Sequence, residues 1–122
     1  VVTDLDIAGL VRNALDGDVE IVCLCGSMRF REEFADAILQ LTLAGLVVLS
    51  PAEVPQGAVT ITEEQKATLD RVHLRKIDLA DVVLVVDPGG YVGASTAREI
   101  AYAKAQGTPV VRLSDVEHDR SE

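Results

Sequence analysis

Apolar runs of strand length alternate along the chain with stretches of helical period. Ile21-Val22-Cys23-Leu24-Cys25, Leu46-Val47-Val48-Leu49, Asp81 to Val86 and Pro109 to Leu113 are the runs. Between them, Met28 to Ala44 puts Phe30, Phe34, Ala37, Ile38 and Leu41 on one face. Thr62 to Ala80 repeats the pattern through Leu69, Val72, Leu74 and Ile77, and a third helical stretch covers about Ser95 to Gln106. Gly45 and Gly107 follow helices as terminators. Strands without polar alternation are buried on both faces, and helices between them imply right-handed crossovers. The predicted fold is a single-domain α/β, doubly wound parallel sheet, flavodoxin-like or Rossmann-like, with four strands in order 2-1-3-4.

Three segments follow from this pattern. Residues 1–18 read as an N-terminal helix packed on the domain, with Leu5, Leu10, Val11 and Leu15 at helical spacing and Thr3 or Asp4 as its cap. Residues 19–114 form the α/β domain, expected to bind a nucleotide, and residues 115–122 read as an acidic frayed tail. The segment from Ser50 to Thr60, with Pro51, Pro55 and Gly57, is a loop long enough to act as a lid.

In order 2-1-3-4 the winding reverses between the first and third strands, so the loops after them open a crevice. Both loops are unusual. Gly26-Ser27-Met28-Arg29 joins a glycine, a hydroxyl and a guanidinium to the start of a helix, a set suited to phosphate. The same residues also fit a serine-capped helix with solvated arginines. Asp87-Pro88-Gly89-Gly90-Tyr91-Val92-Gly93 is flexible and feeds the helix that carries Ser95, Arg98 and Glu99. Glu99 is expected in that helix's first turn, where the dipole keeps a carboxylate ionised as a nucleophile. Thr96-Ala97-Arg98-Glu99 equally fits a capping box. Tyr91 either stacks on a base or ribose or plugs the glycine loop. His73 is either a general acid or a packing residue.

Composition narrows the partners. The net charge is −9, but nine of the twenty acids lie before residue 21 or after residue 114, and residues 21–110 hold eleven acids against eight bases. The middle of the chain can hold a local anion site, while duplex nucleic acid lacks the broad basic face it requires. With no Trp and two each of Phe and Tyr, a site of stacked rings is not expected. Cys23 and Cys25 share one face of a strand and read as reduced core thiols of a cytoplasmic protein. Two His residues without clustered Cys/His spacing give no zinc signature, so no metal and no cofactor is expected. Neither a signal peptide nor a membrane span is expected from the short apolar runs.

The Gly26-Ser27-Met28-Arg29 turn, Ala80-Asp81-Val82-Val83 opening the third strand, and the Gly/Ser-rich loop leading to Glu99 together resemble the nucleoside 2-deoxyribosyltransferase-like superfamily. The likeness is greatest to its 2′-deoxynucleoside 5′-phosphate N-hydrolase branch and spans roughly residues 21 to 113. It implies cleavage of an N-glycosidic bond, with Glu99 attacking the anomeric carbon to form a covalent glycosyl-enzyme. It also implies a 5′-phosphate held by Ser27 and Arg29 and by Ser95 with the amides near Gly93. An ungapped match places His73 where the family carries an aspartate, with Asp70 and Asp78 the nearby acids. Relatives complete their pockets from a neighbouring subunit, so a homodimer is expected. The competing reading is a module that binds or senses a nucleotide or phosphosugar without cleaving it.

Overall fold

The computed structural model describes the backbone of residues 5–55, 57 and 60–120, with side chains to residue 116. Four strands, β1 (Ile21–Gly26), β2 (Val47–Leu49), β3 (Val82–Val86) and β4 (Val110–Arg112), form one parallel sheet in the order β2-β1-β3-β4. Helices α1 (Ile7–Arg12), α2 (Arg31–Leu43), α3 (Glu63–Leu79), α4 (Ala94–Ala105) and α5 (Leu113–Arg120) complete the chain. The strand order is the predicted one.

Alternation along β1 assigns its side chains to two cores. Val22 and Leu24 join Ile7 and Val11 of α1, Phe34, Ala37 and Leu41 of α2, and Leu113 at the start of α5. Cys23 and Cys25 face the other way, with Ile77 of α3 and Ala103 of α4. Val82, Leu84 and Val86 of β3 go to the first core, and Val83 and Val85 to the second. Every β3 side chain is therefore buried, which is why its sequence carries no polar alternation.

The ends of elements differ in detail from the sequence pattern. The cap of α1 is Asp6, whose Oδ1 accepts from the Gly9 amide at 2.9 Å; Thr3 and Asp4 lie outside the described residues. Met28–Phe30 is a 3₁₀ turn ahead of α2, because Ser27 caps it before the longer helix begins. Residues 113–120 are helical as α5, and the start of that helix is fixed to β3. There the buried Asp87 carboxylate accepts from the Ser114 amide at 2.9 Å, the Ser114 hydroxyl at 2.8 Å and Arg112 Nε at 2.7 Å. In the loop after β2, Glu53 pairs with Arg31, and Lys76 of α3 donates to the Ser50 carbonyl at 2.7 Å.

Two anchors position the elements that carry polar groups. Thr62 and Gln65 form a reciprocal capping box at the start of α3, with bonds of 3.0 and 2.9 Å. Thr62→Ala is expected to cost about 1 kcal/mol of stability, read as a lower urea midpoint at unchanged slope. An unchanged midpoint would show that tertiary packing alone holds α3.

Asp81, at the mouth of β3, accepts from the amides of Ile21 and Glu20, both at 2.9 Å, and so clamps the start of β1. Those two bonds hold its pKa below the ordinary aspartate value. Because the folded-state pKa is depressed, the clamp stabilises fully above the unfolded pKa and is lost as pH falls through the folded one. The stability gap between wild type and Asp81→Ala should therefore hold above the unfolded aspartate pKa of about 4 and narrow as pH falls below it. A gap independent of pH would assign the effect to the backbone instead.

Candidate functional site

Gly26 ends β1 with φ +155°, and a Cβ there would meet the Val86 carbonyl oxygen at 2.6 Å. The glycine lets the two central strands close together at the end where the loops diverge. Beyond it Ser27 accepts from the Arg29 amide at 3.3 Å. The Arg29 guanidinium lies over the Tyr91 ring, 4.3 Å from its centroid, and Phe30 meets the same ring edge-on at 5.9 Å. The two loops after β1 and β3 therefore touch through Arg29, Phe30 and Tyr91.

Helix α4 begins earlier than the sequence suggests. Gly93 is its N-cap, in extended backbone and without a side-chain cap bond. Ala94, Ser95 and Thr96 are its first three residues, so Thr96 is buried inside the helix and the capping-box reading of Thr96 and Glu99 is corrected. Glu99 lies in the second turn, so the first-turn dipole argument is corrected too. Its ionisation is set by its surroundings: burial pushes its carboxyl pKa up, while the charge of His73 pulls the other way.

Glu99, Ser95 and Arg98 line a pocket of about 220 Å³ between α3 and α4, with Asp70 and Leu74 on the α3 side and Tyr102 further along α4. Arg98 donates to the Ser95 hydroxyl at 3.2 Å, leaving the rest of its guanidinium fork for a ligand. Asp70 pairs loosely with Lys66 at 3.5 Å. Of the two acids weighed for α3, Asp70 is the one in the Glu99 pocket. Asp78 instead accepts from the Tyr102 hydroxyl at 2.7 Å, a bond that raises the tyrosine's pKa.

His73 is buried beneath this pocket. Its Nε2 is 3.8 Å from Glu99 Oε1, 3.4 Å from Cys25 Sγ and 3.9 Å from Cys23 Sγ. Its Nδ1 is buried without a hydrogen-bond partner among the described residues. Burial disfavours the imidazolium, but the hydrogen bond and charge of Cys23 and the charge of Glu99 outweigh it, and the net shift is upward. The neighbouring Cys25 draws the Cys23 thiol down, while Cys23 and burial push Cys25 up.

The fold thus joins Ser95, Arg98, Glu99 and, from below, His73; it joins Arg29 to Tyr91 in the neighbouring loops, and it sets Asp78 apart. The partnership of Cys23 and Cys25 with His73 is what sequence reasoning missed. Their three donor atoms lie within 4.8 Å of one another although the residues are 48 and 50 positions apart. The available signal was the inward stripe of α3 at His73, Leu74 and Ile77, which points the imidazole at whichever face of β1 carries the thiols.

No family model matches the sequence, and no curated protein sequence matches it either. Solved structures are similar to it. A 2-deoxyribosyltransferase from the psychrotolerant bacterium Bacillus psychrosaccharolyticus aligns at 22% identity and a TM-score of 0.57, over 75% of this chain and 70% of that one. A conserved protein from Enterococcus faecalis V583 aligns at 20% identity and a TM-score of 0.55, over 78% of this chain and 63% of that one. The chain so spans less than two thirds of the second protein. Among the described residues no helix is long and apolar enough to cross a membrane. By its sheet order and these likenesses, the chain shares its fold with that 2-deoxyribosyltransferase and with the Enterococcus faecalis protein.

Proposed function

We propose that the protein cleaves the N-glycosidic bond of a nucleoside 5′-monophosphate, in the manner of the 2′-deoxynucleoside 5′-phosphate N-hydrolases, with Glu99 as nucleophile. The observation that carries this reading is the half-buried Glu99 carboxylate on a pocket shared with Ser95, Arg98 and Asp70. A carboxylate that does not cap its own helix and borders such a pocket is available for attack. The likeness to a 2-deoxyribosyltransferase supports the same chemistry.

Glu99 attacks the anomeric carbon, the C–N bond breaks, and its electron pair leaves with the base. The base gains a proton from a solvent water, and the hydroxide left behind takes up the proton that the attacking water sheds in the next step. Water then attacks the same carbon, releases the sugar phosphate and returns the carboxylate. His73 lies under Glu99 rather than in the pocket, so in this scheme it orients the nucleophile and balances its charge. The open amides at the start of α4, with Ser95 and Arg98, suit the 5′-phosphate, and Arg29 on Tyr91 supplies a further cation at the neighbouring loop.

The assembly that goes with this reading is a homodimer, with Leu43 and Val47, 76% and 55% exposed, among the apolar surface a second copy would cover. Two free thiols favour a reducing compartment such as the cytoplasm. The test is a panel of ribo- and deoxyribonucleoside 5′-monophosphates, each incubated with the protein and followed by chromatography for free base. Release from one class would name the substrate. Thermal stabilisation by a nucleotide without release from any would establish the alternative, a binding or sensing module.

A further inference from the structure

Three potential donor atoms, Cys23 Sγ, Cys25 Sγ and His73 Nε2, converge beneath the pocket within 4.8 Å of one another, and Glu99 stands beside the imidazole. Cys23 Sγ, Cys25 Sγ and Glu99 Oε1 all approach the same nitrogen, His73 Nε2, at 3.9, 3.4 and 3.8 Å. The donors and Glu99 come from three separate elements, β1, α3 and α4, so local sequence does not force them together. The two cysteines are fully buried and the His73 side chain is 6% exposed, while Glu99, at 18%, borders the pocket above them.

The geometry points to a tetrahedral site for zinc, with Cys23, Cys25 and His73 as its ligands and Glu99, 3.8 Å from the imidazole, turning in to complete it. Zinc bonds of about 2.3 Å to sulfur and about 2.0–2.2 Å to nitrogen and oxygen require S···N and N···O separations of about 3.4–3.6 Å. The three separations to Nε2 are already within a few tenths of an ångström of that. The sulfurs lie within 4.8 Å of each other, and a rotamer adjustment brings them to the tetrahedral edge of about 3.8 Å. Two thiolates, an imidazole and a carboxylate make a soft donor set, which selects zinc over magnesium or calcium. On binding, the two thiols give up their protons to solvent, and the two thiolates offset the charge of the ion, with the Glu99 carboxylate adding one negative charge at the pocket side.

The site goes beyond the proposed reaction and does not depend on it. One consequence does rest on that reading: zinc and a sugar cannot both occupy the Glu99 carboxylate, so the ion inhibits glycosidic cleavage and a chelator restores it.

The test is a titration of the reduced, metal-free chain with Co²⁺, with a phosphine reductant and no oxygen. The expected result is one Co²⁺ per chain, with sulfur-to-cobalt charge-transfer absorption in the near ultraviolet and visible bands of tetrahedral intensity, all displaced by Zn²⁺. Cys25→Ala and His73→Ala should lose these bands while keeping the far-ultraviolet circular dichroism of wild type. Glu99→Gln should keep the charge-transfer bands and weaken binding at least about tenfold, the smallest loss usual for a residue that supports a metal. Folded wild type without charge-transfer bands would overturn the site, as would bands that survive in both folded variants. If either variant fails to fold, Cys23→Ser replaces it, and bands unchanged by loss of that sulfur would likewise overturn it. Cobalt bands without base release from any nucleotide would leave the site standing and remove the glycosidase reading alone.

Discussion

Glu99→Gln is expected to lower base release by roughly 10⁴-fold or more, the scale of loss when a residue that acts directly on the reacting atoms is removed. The amide keeps the size of the side chain and its place above His73, so the nucleotide should still stabilise the variant against heat. It cannot form the ester-like glycosyl intermediate, so only direct attack by water remains. The pH profile should carry the same signature. Burial raises the Glu99 pKa, and attack needs the ionised form, so the rate should fall with acidification at a pH above the ordinary glutamate range. Single-turnover chromatography on wild type and variant decides the matter. A variant that keeps a tenth of the wild-type rate would remove Glu99 from the role of nucleophile.

The largest expected effect on stability is at Asp87. Its carboxylate is fully buried and accepts from Arg112 and twice from Ser114. Asp87→Ala would strand an amide, a hydroxyl and a guanidinium at the junction of β3, β4 and α5. Breaking such a pair costs about 3–5 kcal/mol when both partners are buried. Arg112 is 41% exposed and can turn to water, so the low end, about 3 kcal/mol, is expected. For a chain of this length that is a fall in Tm of roughly 10–15 °C. Asp87→Asn keeps one carbonyl oxygen for Ser114 and should lose about half as much. A fall of less than about 3 °C in Asp87→Ala would show that apolar packing, with Leu113 at its centre, seats α5 without the latch.

The sheet was legible in the sequence because each strand is a continuous apolar run and each helix a clear periodic one. The four runs fall on the four strands, and the reversal between β1 and β3 follows from their order. The start of α4 was less legible: Thr96 has the chemistry of a cap, yet Gly93 begins the helix and Thr96 is buried within it. That shift of one turn moves Glu99 away from the dipole's positive end and into contact with an imidazole. The thiol-imidazole cluster was the least legible part. Residue spacing records metal or catalytic groupings when they sit on one loop or one helix, whereas Cys25 and His73 meet only after a crossover has folded α3 back over β1. Asp78 illustrates the opposite case, an acid close in sequence to the site but turned by its helix toward Tyr102.

The two-sided β1 strand also bears on how the chain can vary in length. Val22 and Leu24 serve one layer while Cys23 and Cys25 serve the other, so one residue added or deleted inside the strand would exchange the two sets. The thiols would enter the aliphatic layer, and valine and leucine would face His73. Insertions can accumulate in the stretch before β1, where Gly17 has open space around it, but within the five residues that follow Glu20 the spacing is a fixed ruler for everything built above it.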